Sequence, residues 1–214
     1  MADITFYFPS AGAAPHDCAY SATWENTSQS KRAPLLTTRG TTDFGNDWYC
    51  YRVSGQHLGC GGQWVSAALA ARSYTTADTF DFAFGTQDSN GLGGTTLRLT
   101  IRVFNAAGDT VIGTLYDGEI NSTLWSGTIT SRHADGVAVQ NNVDLPENGH
   151  IVIEIGMHDT YAYSCGNKIH PQDLGIFGAV PLNDTTTINM QSLYPWLAFT
   201  YGAAAATNVV MNII

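Results

Sequence analysis

Thr95-Thr96-Leu97-Arg98-Leu99-Thr100-Ile101-Arg102-Val103-Phe104 is the stretch that decides the fold. Leu97, Leu99, Ile101 and Val103 fall on one face of an extended strand, and Arg98, Thr100 and Arg102 on the other. A two-residue period marks a strand with two unlike faces and predicts a sheet with one dry side and one wet side. The same period recurs at Phe80/Phe82/Phe84 and at Ile151/Ile153/Ile155.

Working outward, a strand over 78–85 runs into the turn cluster Asp88-Ser89-Asn90-Gly91, whose residues favour tight reversals. Beyond Phe104, a turn at 105–109 and a partner strand over 110–116 make an antiparallel hairpin. Asp117-Gly118, Asp135-Gly136 and Asn148-Gly149 punctuate further short strands. Ile4, Phe6 and Phe8 alternate with polar neighbours until Pro9, which ends the first strand. Over 48–53, Trp48, Cys50 and Arg52 share one face, and Tyr49, Tyr51 and Val53 the other. Two late strands are expected, at 174–180 and 194–201. The segments 10–46 and 157–172 read as irregular, the first anchored by Tyr20 and Trp24. The alanine-bearing stretch 63–71 fits a helix or a strand. About ten strands without βαβ spacing predict an all-β fold, an antiparallel β-sandwich of jelly-roll type with long loops. Residues 1–202 are expected to form one domain. The charge-free tail 203–214 is either its final strand or an apolar arm that docks on a neighbouring subunit.

At 214 residues, such a chain buries roughly 70% of its unfolded surface and needs no metal to have a core. The net charge is −9, and the only lysines are Lys31 and Lys168. Nucleic-acid binders depend on cations that neutralise phosphates, so neither nucleic acid nor anionic lipid is an expected partner. The N-terminus lacks the basic start and apolar run of a signal peptide. No stretch reaches the ~20 apolar residues of a membrane span.

Four cysteines, Cys18, Cys50, Cys60 and Cys165, allow three pairings and match no common zinc spacing. Cys50 and Cys60 are candidates for a disulfide clip, and four buried free thiols are the alternative. His158 and Asp159 follow an apolar strand, with His150 upstream, but no HExxH or GxSxG pattern accompanies them. Cys60, in Gly59-Cys60-Gly61-Gly62, is the most exposed-looking nucleophile, with only His57 near enough in sequence to activate it. Asp88-Ser89-Asn90-Gly91 resembles the start of a calcium loop without its closing glutamate. Trp48, Tyr51 and Trp64 form a candidate aromatic platform for a sugar ring, against the usual core role of strand aromatics. No catalytic residue, cofactor or metal site is expected.

Several segments together resemble a family of small β-rich structural proteins encoded in the virion gene clusters of tailed bacteriophages. They are residues 4–15 (Ile-Thr-Phe-Tyr-Phe-Pro-Ser-Ala-Gly-Ala-Ala-Pro) with Trp24, residues 97–103 followed by 113–118 (Gly-Thr-Leu-Tyr-Asp-Gly), residues 149–156 (Gly-His-Ile-Val-Ile-Glu-Ile-Gly), and residues 194–199 (Tyr-Pro-Trp-Leu-Ala-Phe). Residues 40–75 and 157–173 fit the pattern least. The resemblance implies a virion component assembled in the host cytoplasm, not an enzyme. It implies a capsid decoration or cement protein bound to the major capsid protein or other virion proteins, as a homo-oligomer. A neck or tail component, or a carbohydrate-binding attachment module, is the alternative.

Overall fold

The computed structural model describes residues 4–38, 48–89, 94–127, 130–160, 165–170 and 195–201. Among them the chain forms thirteen strands and no helix: β1 (Ile4–Tyr7), β2 (Lys31–Leu35), β3 (Trp48–Arg52), β4 (Leu58–Ser66), β5 (Arg72–Tyr74), β6 (Thr79–Gln87), β7 (Thr95–Phe104), β8 (Val111–Asn121), β9 (Thr130–Ala138), β10 (Val143–Leu145), β11 (His150–Asp159), β12 (Cys165–His170) and β13 (Trp196–Thr200).

The alternation in the sequence places the interior. Phe80, Phe82 and Phe84 of β6 face Leu97, Leu99, Ile101 and Val103 of β7 and Ile151, Ile153 and Ile155 of β11 in one fully buried cluster. One sheet has the order β1-β13-β6-β12-β3, with β9 on the other side of β6; the second has the order β2-β4-β11-β7-β8. Take β3, β4, β6, β7, β8, β9, β11 and β12 as first to eighth. The first sheet then runs first–eighth–third–sixth, and the second runs second–seventh–fourth–fifth. This is the winding of an eight-stranded jelly roll.

Additions close the sandwich. β12 and β13 lie end to end along β6, where His170 pairs with Gly85 and Trp196 with Ala83. The last strand of the winding is thus built in two pieces, separated in sequence by 171–195. Leu36 and Tyr7 exchange two backbone hydrogen bonds of 2.8 and 3.1 Å, so the chain links the edge of the first sheet to β2 in the second. β2 lies parallel to β4, the one parallel pair among the described strands. β5 and β10 form a small separate ribbon.

The ambiguous stretch 63–71 resolves as strand up to Ser66. Trp64 points into the inter-sheet core and Val65 into a second cluster on the opposite face, as period two demands. The segment expected to be irregular from 157 instead extends β11 to Asp159, with β12 beyond it. The expected strand at 174–180 and the tail 203–214 lie outside the described residues.

Inside the sandwich, Trp48 stacks on Trp64 with ring centroids 4.6 Å apart and planes 11° from parallel. Gly62 makes room for the pair, because a Cβ there would sit 2.4 Å from the Trp48 ring. Overpacking a filled core costs about 1–3 kcal/mol. Gly62→Ala is therefore expected to lower urea-unfolding stability by about 2 kcal/mol and to change the near-UV tryptophan signal. Gly127→Ala, with nothing within 4 Å, should change neither.

Candidate functional site

The face of the second sheet that the sequence marks as wet is not wet. Thr100, Gln63 and Glu154 are fully buried and Arg102 is nearly so, under a segment running from Ala14 to Trp24. The period-two pattern locates these side chains correctly but does not reveal what covers them. Strand register aligns Arg32, Gln63, Glu154, Thr100 and Asp117 in one row across five strands.

Glu154 is the hub of that row. Its Oε1 accepts from Arg102 Nη2 at 2.5 Å and Gln63 Nε2 at 2.8 Å, and its Oε2 accepts from Trp24 Nε1 at 2.8 Å. The Ser21 amide donates to both oxygens at 3.1 Å. Arg102 also donates to Ala19 O at 2.6 Å, and Arg32 donates to Gln63 Oε1 and Cys18 O. At the far end of the row, Asp117 accepts from Thr23, Arg98 and Thr100. The strap 14–24 is thus clasped by polar bonds along its length. Cys18 and Ala14 add an apolar contact with Val65, Phe104 and Val152.

A second polar centre lies inside the sandwich, at the end where β3, β7, β11 and β12 meet. Arg52 Nη2 reaches Asp159 Oδ2 at 2.9 Å, with both side chains buried. Thr95 donates to the same carboxylate at 3.0 Å, and Asn167 donates to Thr95 Oγ1 at 2.8 Å. Outside this pin, at the rim, His158 pairs with Glu119, and the His57 ring stands 6.5 Å from that of His158. Glu25 accepts the amides of His57 and Leu58, and these bonds hold its carboxyl below the usual range.

The candidate residues are dispersed rather than gathered. His150 and His158 sit at opposite ends of β11, and His150 Nδ1 lies 2.9 Å from Ser66 O. Asp159 is committed to Arg52. Cys60 is buried with its thiol toward Gly62 O and Ile155 O. Burial, reinforced by the nearby Glu154 charge, pushes that thiol well above its ordinary pKa, which keeps it in the non-nucleophilic form. The expected Cys50–Cys60 clip is not formed. Cys50 faces the inter-sheet core, Cys60 faces the strap, and no disulfide joins them.

The sugar platform is corrected as well. Trp48 and Trp64 are core residues bonded to Ser10 O and Pro9 O, while Tyr51 lies half-buried on the opposite face of β3. Asp88 is buried and its amide donates to Ser126 O, whereas Asn90 and Gly91 lie outside the described residues. Among the described residues no group of three or more His, Cys, Asp or Glu is placed to hold a metal ion. Glu154, the lone acid in the apolar run 151–157, is the one mark of this hub in the sequence. No protein-family model and no curated protein matches the chain.

A fully buried carboxylate with donors on both oxygens holds the strap to the sheet. Replacing Glu154 by glutamine keeps the shape but offers one acceptor oxygen, and its NH2 faces donors. Breaking a buried pair in this way costs about 3–5 kcal/mol. Glu154→Gln should lower unfolding stability by about that amount in urea titration, whereas Asp144→Asn, on an exposed Ser73 contact, should stay within ~0.5 kcal/mol. The raised Cys60 pKa sets a further expectation. The unfolded thiol ionises near pH ~8.5 while the folded one keeps its proton. The associated stability is therefore complete below that pH and lost above it. The urea midpoint should fall progressively as the pH rises above ~8.5, and Cys60→Ala should flatten that fall.

Proposed function

We propose that this chain is a structural component of a tailed-phage virion, a decoration or cement protein that lies on the capsid shell and contacts the major capsid protein. One observation supports the reading above the others: among the described residues, five arginines are spent on the protein itself. Arg32, Arg52, Arg98, Arg102 and Arg132 all donate to the protein's own carboxylates, carbonyls or amide oxygens. Of the two lysines, Lys168 lies over the Tyr49 ring. An acidic exterior with so few available cations is repelled by nucleic acid and anionic lipid and suits adhesion to protein. The segments that carry the phage resemblance overlap β1, β7, β8, β11 and β13, strands of both sheets. The jelly roll is also an architecture of viral capsid and lectin domains. Many modest contacts repeated over a lattice would hold such a layer through multivalency.

The test is copy number on purified virions of the encoding phage, by quantitative mass spectrometry with particle imaging. Hundreds of copies spread over the shell are expected. A single ring at one vertex would move the protein to the neck, and its absence from particles would end the reading.

A further inference from the structure

We propose that the end of the sandwich bearing the β7–β8 hairpin is a self-association surface, where a second copy of this chain seats its Val111–Ile112 corner in an apolar cleft beside Arg72. The proposal goes beyond the virion reading and holds wherever the protein resides.

The cleft has a volume of about 250 Å³ and is walled by Ile4, Leu69, Ala70, Tyr74, Leu145 and Tyr201, with Arg72 at its side. Arg72 is chemically unlike the other described arginines. The others hydrogen-bond to acceptors within the protein, whereas among the described residues Arg72 has no ion pair and its guanidinium rests on the Tyr201 ring. Beside an apolar hollow, a cation with no ion pair among the described residues calls for a ligand that brings both an apolar side chain and a negative charge.

The same chain presents that combination nearby. Val111 and Ile112 are consecutive large apolar residues, 43% and 46% exposed. Asp109 stands two residues before them on the exposed hairpin turn. Hydrogen bonds from Asn105 and then Thr110 hold its carboxyl below the usual range, so it is an anion at neutral pH. No ion pair to Asp109 occurs among the described residues.

Corner and cleft adjoin. Val111 pairs with Phe104. A Cβ on Gly149 would meet Phe104 O at 2.9 Å and Leu145 Cδ1, in the cleft wall, at 2.8 Å. The Leu69 amide, in the opposite wall, donates to Gly149 O at 3.0 Å. An apolar corner with an anion next to an apolar cleft with a cation is self-complementary under a two-fold axis. Each copy gives its corner and receives its partner's, which is the isologous arrangement that closes at two copies.

The experiment is weight-average mass by sedimentation equilibrium on the full chain at about 0.1 mM, well above the micromolar Kd of a modest interface. The wild type is expected near twice the 23.0 kDa chain mass. Ile112→Asp and Ala70→Trp both alter exposed positions, one charging the corner and the other filling the cleft. Each should return the mass to that of one chain with an unchanged far-UV spectrum. Arg72→Asp and Asp109→Arg should each do the same alone and restore the doubled mass together. A wild type of single-chain mass, a doubled mass that survives both Ile112→Asp and Ala70→Trp, or a charge swap that restores nothing would overturn the proposal.

Discussion

A carboxylate sealed away from water must find donors for both of its oxygens, and Glu154 imposes that requirement on everything laid over the second sheet. The donors come from neighbouring strands (Gln63, Arg102) and from the strap (Trp24 Nε1, Ser21 N). The strap has almost no regular structure of its own, so its path is dictated by these bonds. If it shifted by one residue, the Ser21 amide would be lost to the carboxylate and Arg102 would lose Ala19 O. Buried ionic groups add little net stability compared with apolar packing, but removing one partner is costly. Their physical role here is to select one position for the strap, while the phenylalanine and isoleucine faces between the sheets supply the drive to fold.

The same logic governs the inner pin. Arg52 enters the core from β3 and meets Asp159 at the end of β11, so a single ion pair ties the first sheet to the second at one end of the sandwich. At the Trp48–Trp64 stack, the glycines of β4 let the sheets approach. Arginine suits such sites because its planar fork satisfies several acceptors at once and never sheds its proton. Among the described residues, using arginine internally leaves few cations on the exterior.

Period two made β6, β7 and β11 legible in the sequence, and the turn at 105–109 made the hairpin legible, because each side chain's face follows from strand geometry alone. β4 was obscured by glycines, which have no side chain to display a pattern, and by the alanines after it. The two faces of β3 were separable in the sequence, but nothing local says that the Trp48 side turns inward and the Tyr49 side outward. The sugar platform failed for that reason. The wet-face expectation failed for another: Arg102 donates to Ala19 O of a strap more than eighty residues away in sequence, and Arg98 and Thr100 donate to Asp117, which Thr23 of the strap also bonds; a local window cannot tell a polar partner from water. Cys50 and Cys60, close in the chain, are kept apart by the opposite faces they occupy, which spacing does not encode.

Residue-resolved native-state amide exchange of the unmodified protein tests the clasp most directly, with Ser21 compared against Ile153 in the centre of β11. The account predicts that the Ser21 amide, held by Glu154 in an irregular segment, is protected to within about tenfold of Ile153, because its opening requires breaking a buried charge network. Exchange at Ser21 close to the rate of an unstructured peptide, with Ile153 still protected, would contradict it.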